Sequence, residues 1–121
     1  MQKLLIGRVG AVADHQVHRV LADRLWPRGV SKVGAPWDTW MKELAPSTEL
    51  RKWYGHDPQR YSEFRQRYWL ELEQLREEPA MERLLRIWTE EPVMLVTATK
   101  NLDVSHIPVL RDFLVHIATS I

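Results

Sequence analysis

After Pro92 the chain runs Val93-Met94-Leu95-Val96-Thr97-Ala98, a nearly unbroken apolar stretch rich in β-branched residues. Nothing polar alternates within it, so neither face of a strand built from it can be left to water. A strand covered on both faces belongs to a parallel sheet with layers above and below. Parallel partners also need long crossovers between them. This one segment therefore asks for upstream strands and for helices that return the chain.

Both are present in the pattern. Lys3 to Val9, with Leu4-Leu5-Ile6 and Val9, reads as a first strand, and Gly10 to His15 as a turn. Arg19 to Trp26 reads as a second strand, placing Arg19, Leu21, Asp23 and Leu25 on one face and Val20, Ala22, Arg24 and Trp26 on the other. Pro27 and Gly29 punctuate its end. Trp37, Trp40, Met41 and Leu44 then stand at helical spacing behind Pro36. Ser47 can cap a short helix carrying Leu50, Trp53 and Tyr54, with Gly55 placed to end it in the left-handed conformation. Asp57-Pro58 opens a third helix to about Glu77, its stripe Tyr61, Phe64, Tyr68, Leu72 and Leu75. Beyond Pro79 a fourth buries Met81, Leu84, Leu85 and Trp88. After a polar loop over Thr99 to Val104, Ser105 caps a last helix facing inward with Leu110, Phe113, Leu114 and Ile117. The expected fold is α/β: a small, mostly parallel sheet of about three strands with a helical excursion between the second and last strands. Trp37, Trp40, Leu44, Leu50, Trp53, Phe64, Tyr68, Leu72, Leu85 and Phe113 are expected to be mostly buried.

Composition narrows the function classes. At 121 residues, the chain over 1–121 has the size of one domain. It holds no cysteine, which removes disulfides, zinc thiolates, iron–sulfur clusters and cysteine nucleophiles. The five histidines form no i, i+4 pair and no HExxH, so no metal motif is present. There is no glycine-rich phosphate loop, nucleophile elbow or dinucleotide fingerprint, and no cofactor is named. The apolar run near the N-terminus is too short for a signal peptide, no stretch suits a membrane span, and the expected location is cytoplasmic. A net charge of +1 argues against a protein built around nucleic acid. Residues 51–69 nevertheless gather Arg51, Lys52, Arg60, Arg65 and Arg67 among Trp53, Tyr54, Tyr61, Tyr68 and Trp69, a local surface on which bases or a protein could stack.

Ligands of open α/β sheets collect at the carboxyl ends of the strands. Two such ends are chemically rich here: Asp23-Arg24-Leu25-Trp26-Pro27-Arg28-Gly29, and Thr97 to Asn101 followed by Ser105-His106. If the two strands are neighbours, these ends share one rim. Arg24, Arg28 and Lys100 suit an anion, with Trp26 and Ser105 beside them and helix amides completing the shell. Asp23 and His106 are the candidate catalytic pair, a carboxylate and an imidazole able to move a proton. The plainer readings are a buried Asp23–Arg24 ion pair, a capping His106 and an Arg28 loop ordered by packing alone. His56 is the one residue of Gly55-His56-Asp57-Pro58 that capping and helix termination do not explain.

Several blocks together, Val20-Leu21-Ala22-Asp23-Arg24-Leu25-Trp26-Pro27-Arg28-Gly29, Leu44-Ala45-Pro46-Ser47, Leu50 to Pro58 and Phe64-Arg65-Gln66-Arg67-Tyr68, resemble the YeaO-like family of domains of unknown function. The similarity runs from about Arg19 to Leu114. It implies a compact α/β domain without an assigned activity. In that family the last strand runs into a basic–acidic pair and then Asn-His. Lys100 and His106 match, while Asn101 stands for the acid and Ser105 for the asparagine. The leading expectation is an enzyme or ligand-binding domain for a small anionic or phosphorylated molecule at the carboxyl edge of the sheet. The alternative is a non-catalytic module using the 51–69 face for protein or nucleic acid.

Overall fold

The computed structural model describes residues 1–13 and 15–120; Asp14, inside the expected turn over Gly10 to His15, and Ile121 lie outside the described residues. Among the described residues four strands form one sheet: β1 (Leu4–Arg8), β2 (His18–Leu21), β3 (Thr39–Trp40) and β4 (Val93–Thr97). Their order is β1-β4-β2-β3, and all three pairings are parallel. β4 lies between β1 and β2, buried along its whole length, as its apolar run requires.

Four α-helices complete the chain: α1 (Thr48–Tyr54), α2 (Tyr61–Gln74), α3 (Pro79–Glu90) and α4 (Ile107–Thr119). The first three fill the crossover from β3 to β4. Ser47 Oγ accepts from the Leu50 amide at the start of α1, and Gly55 ends that helix at φ 55°. Asp57 caps a single 3-10 turn over Pro58–Arg60 that leads into α2.

Side chains alternate across the sheet as the pleat demands. Val20, Val93 and Leu95 face a core shared with Phe64, Tyr68, Leu84, Leu110 and Phe113 from the helices. Leu21, Met94 and Val96 face the other way, where the loop residues Val9, Ala11, Val17 and Trp37 cover them together with Trp40 of β3.

The segment around Trp37 departs from expectation. Its apolar residues have helical spacing, yet the backbone forms the edge strand β3 and then a 3-10 turn over Lys42–Leu44. Extended geometry sends Trp40 to the loop-covered face of the sheet, while Met41 and Leu44 join the helical core. β2 is also shorter than Arg19 to Trp26, because the backbone leaves the sheet after Leu21. Of the expected core, Leu44, Leu50, Phe64, Tyr68, Leu72 and Phe113 are buried, whereas Trp37, Trp40, Trp53 and Leu85 are half-buried.

Candidate functional site

Because β2 and β4 are parallel neighbours, their carboxyl ends lie side by side. Asp23, two residues past β2, ties them together. One carboxylate oxygen accepts from Thr97 Oγ1 at 2.7 Å and the other from the Ala98 amide at 2.8 Å. Thr97 Oγ1 in turn accepts from the Thr99 amide at 3.1 Å, which shapes the loop leaving β4.

A cavity of about 640 Å³ opens over this junction. It is lined by all seven sequence-derived candidates: Asp23, Arg24, Trp26, Arg28, Lys100, Ser105 and His106. It also takes in Arg51 and His56 from the end of α1, which the strand-end argument did not reach. The signal for them lay in the sequence block Leu50 to Pro58. Without a fold, nothing in that block says that it meets the sheet.

The candidates divide by what their polar atoms already do. Arg24 is a strut: Nε donates to the Pro46 carbonyl at 3.0 Å and Nη2 to the Ala45 carbonyl at 3.1 Å. It makes no ion pair with Asp23 among the described residues. Trp26 donates its indole N–H to the Val30 carbonyl at 2.7 Å and packs edge-on against Trp37 and Trp40. Trp40 donates to the Asp23 carbonyl at 2.6 Å. Ser105 Oγ donates to the Leu102 carbonyl and accepts from the Ile107 amide. With that amide taken, and Pro108 lacking one, these two positions of α4 offer nothing to the expected amide shell. Arg28, Arg51 and Lys100 differ from this group. All three are exposed, and none makes a side-chain hydrogen bond or ion pair among the described residues.

His106, the residue before α4, is buried. Its Nε2 lies 2.8 Å from the Ala22 carbonyl and 3.4 Å from Asp23 Oδ1. A carbonyl only accepts, so Nε2 carries the proton. Burial lowers the imidazole pKa below 6.5 and the neighbouring His56 adds to this, against the opposing pull of Asp23 and the Ala22 bond.

Helix α2 builds the wall behind the ring. Tyr54, Phe64 and Tyr68 form a stacked aromatic column, and Tyr68 meets His106 edge-on. Buried tyrosines need partners for their hydroxyls. Tyr54, Tyr61 and Tyr68 donate to the carbonyls of Val104, Ser105 and Leu44. Tyr54 at the end of α1 and Tyr61 at the start of α2 thereby clamp the loop that presents Ser105 and His106. Burial raises the pKa of the Tyr54 and Tyr61 hydroxyls, and that of Tyr68 well above 10, so they stay donors.

The backbone at the cavity mouth is also unusual. His56 has φ 58°, immediately after left-handed Gly55. Histidine enters this region more readily than most residues, yet a non-glycine held there is uncommon.

The arginines of the 51–69 face are differently placed. Arg60 and Arg67 lie over the Trp53 ring, and Arg67 pairs with Glu63. Arg65 lies over Tyr61 and reaches Asp112 at 3.4 Å. Tyr68 is buried, and Tyr61 packs partly buried against the core. Among the described residues, no group of three His, Asp or Glu side chains could hold a metal ion. No described helix is long and apolar enough to cross a membrane.

The fold and cavity together are those of a parallel α/β protein with its pocket at the carboxyl edge of the sheet. Over residues 5–120 the chain matches the family DUF488-N3i, described as the inactive DUF488-N3 subclade, and it belongs to that family. It is 42% identical over 97 residues to the uncharacterised protein YeaO of Escherichia coli K12, covering 80% of this chain and 83% of that one. It is also 42% identical over 96 residues to uncharacterised proteins of Mycobacterium tuberculosis and Mycobacterium bovis, 79% of each chain. No solved structure matches it.

Proposed function

We propose that this chain binds a small organic anion in the cavity at the carboxyl edge of the sheet and does not turn it over. The observation that carries the reading is the set of three unpaired cations, Arg28, Arg51 and Lys100, around a cavity of about 640 Å³. That volume lies within the usual range for small-molecule sites. The charged residues lining it are four cations and one carboxylate, and the carboxylate is occupied by Thr97 and Ala98. Asp23 is thus a splice between two strand ends, a poor position from which to exchange protons with a ligand. The description of the subclade as inactive supports binding without chemistry.

The competing use of the 51–69 face as a nucleic-acid or protein platform is the weaker reading. Three of its arginines, Arg60, Arg65 and Arg67, are already spent on Trp53, Tyr61, Glu63 and Asp112, and Arg51 lines the cavity instead. A thermal-shift screen of phosphate esters, carboxylates and inorganic oxyanions tests the choice. Ligand at about a hundred times its dissociation constant adds about 2.7 kcal/mol, a rise of several degrees for a domain of this size. The shift is expected to vanish in Arg28→Ala and Arg51→Ala and to survive in Arg67→Ala. No hit across the panel, or a hit abolished only by Arg67→Ala, defeats the pocket reading.

A further inference from the structure

The cavity is polarised along its depth. Arg28, Arg51 and Lys100 are exposed at its mouth, whereas His106 is buried at its floor beside the Asp23 carboxylate. An anion is favoured at the first end and repelled at the second. The floor also has a free acceptor. Nε2 of His106 is committed as a donor to the Ala22 carbonyl, which leaves Nδ1 of the neutral ring with a bare lone pair. Nδ1 makes no hydrogen bond to protein, yet no sealed side-chain nitrogen or oxygen among the described residues lacks a partner. Nδ1 is therefore unsealed, on a ring that lines the cavity.

Between mouth and floor the lining is mostly apolar, with Trp26, Pro27, Pro46, Tyr54 and Phe64 contributing. Such walls suit a flat body, because aromatic rings stack on aromatic and proline surfaces.

Building on the anion-pocket reading, we infer that the ligand is a flat organic anion bound head outward, with an N–H or O–H donor at its far end bonded to His106 Nδ1. His106 is then the residue that selects among anions, and the cations at the mouth only hold them. Free phosphate satisfies the mouth but leaves the floor empty.

Calorimetry with inorganic phosphate, phenyl phosphate and 2-naphthyl phosphate, the two esters each with and without a ring amino group remote from the ester, tests this. The aryl esters are expected to bind more tightly than phosphate. In at least one aryl pair the amino group should strengthen binding by about fivefold to tenfold, the yield of one well-placed hydrogen bond. That preference should persist in His106→Gln, whose amide can donate to Ala22 while presenting its oxygen, and disappear in His106→Leu. Long-range ¹H–¹⁵N spectra of the ligand-free wild type should show His106 protonated at Nε2 alone at pH 7, a readout that does not depend on the leucine variant folding. Aryl esters that bind without any amino preference, a preference that survives in a folded His106→Leu, or a proton on Nδ1 would overturn the inference and leave the anion pocket standing. If none of the anions binds, both fall.

Discussion

Two arginines four positions apart do opposite things at this site. Arg24 donates to two buried residues' carbonyls and holds the Ala45-Pro46 turn against the strand end. Arg28 is exposed and holds nothing among the described residues. Arg24→Ala should therefore cost about 1.5–3 kcal/mol of stability, the worth of hydrogen bonds from a charged donor. Arg28→Ala should cost less than about 0.5 kcal/mol and abolish ligand-induced stabilisation. Urea melts of the two variants, with and without a hit from the anion screen, separate them. Equal stability losses would contradict the division of labour.

His106 links stability to pH with a definite sign. Burial holds it neutral to a lower pH than in the unfolded chain, where imidazole titrates near 6.5. Below that value the unfolded chain takes up a proton that the fold resists, so unfolding is favoured. The contribution is complete above about pH 6.5 and is lost as pH falls toward the lowered folded-state value. Melting temperatures between pH 5 and 8 should fall on the acid side more steeply for wild type than for His106→Gln. Parallel curves would place the acid sensitivity elsewhere.

At the scale of elements, α2 carries both packing and site. Phe64 is 2% exposed and lies between Tyr54 and Tyr68 in the aromatic column. Phe64→Ala removes the middle of that column, and comparable truncations cost about 3–5 kcal/mol. Against a total of roughly 5–15 kcal/mol, such a loss is severe. A urea melt showing less than about 1 kcal/mol would mean that the column does not hold the wall. The central strand is less tolerant still. Leu95, fully buried on β4 between two parallel partners, has no place for a charge. Leu95→Asp should abolish cooperative folding, since an unpaired buried carboxylate costs several kcal/mol. A soluble variant with a cooperative melt would refute that placement.

Over the whole molecule, what the sequence could show depended on how local the physics was. The run Val93 to Ala98 implied a covered parallel strand because burial of every side chain leaves no other economical pattern. Ser47, Gly55 and Asp57 were legible as helix termini because caps act within one turn of backbone. The rim of Asp23, Arg24, Arg28, Lys100, Ser105 and His106 was legible too, once neighbouring parallel strands were assumed. The segment at Trp37 to Leu44 was not, for its helical spacing lost to pairing with β2, an interaction with residues some twenty positions away. Nor could sequence tell Arg24 the strut from Arg28 the free cation, because the carbonyls of Ala45 and Pro46 come from a distant turn. Arg51 and His56 joined the cavity only through the packing of α1 and α2 against the sheet. The sequence alone determined the class of fold and the chemical inventory of one edge. Tertiary structure decided which of those groups are already satisfied by the protein, and hence which remain for a ligand.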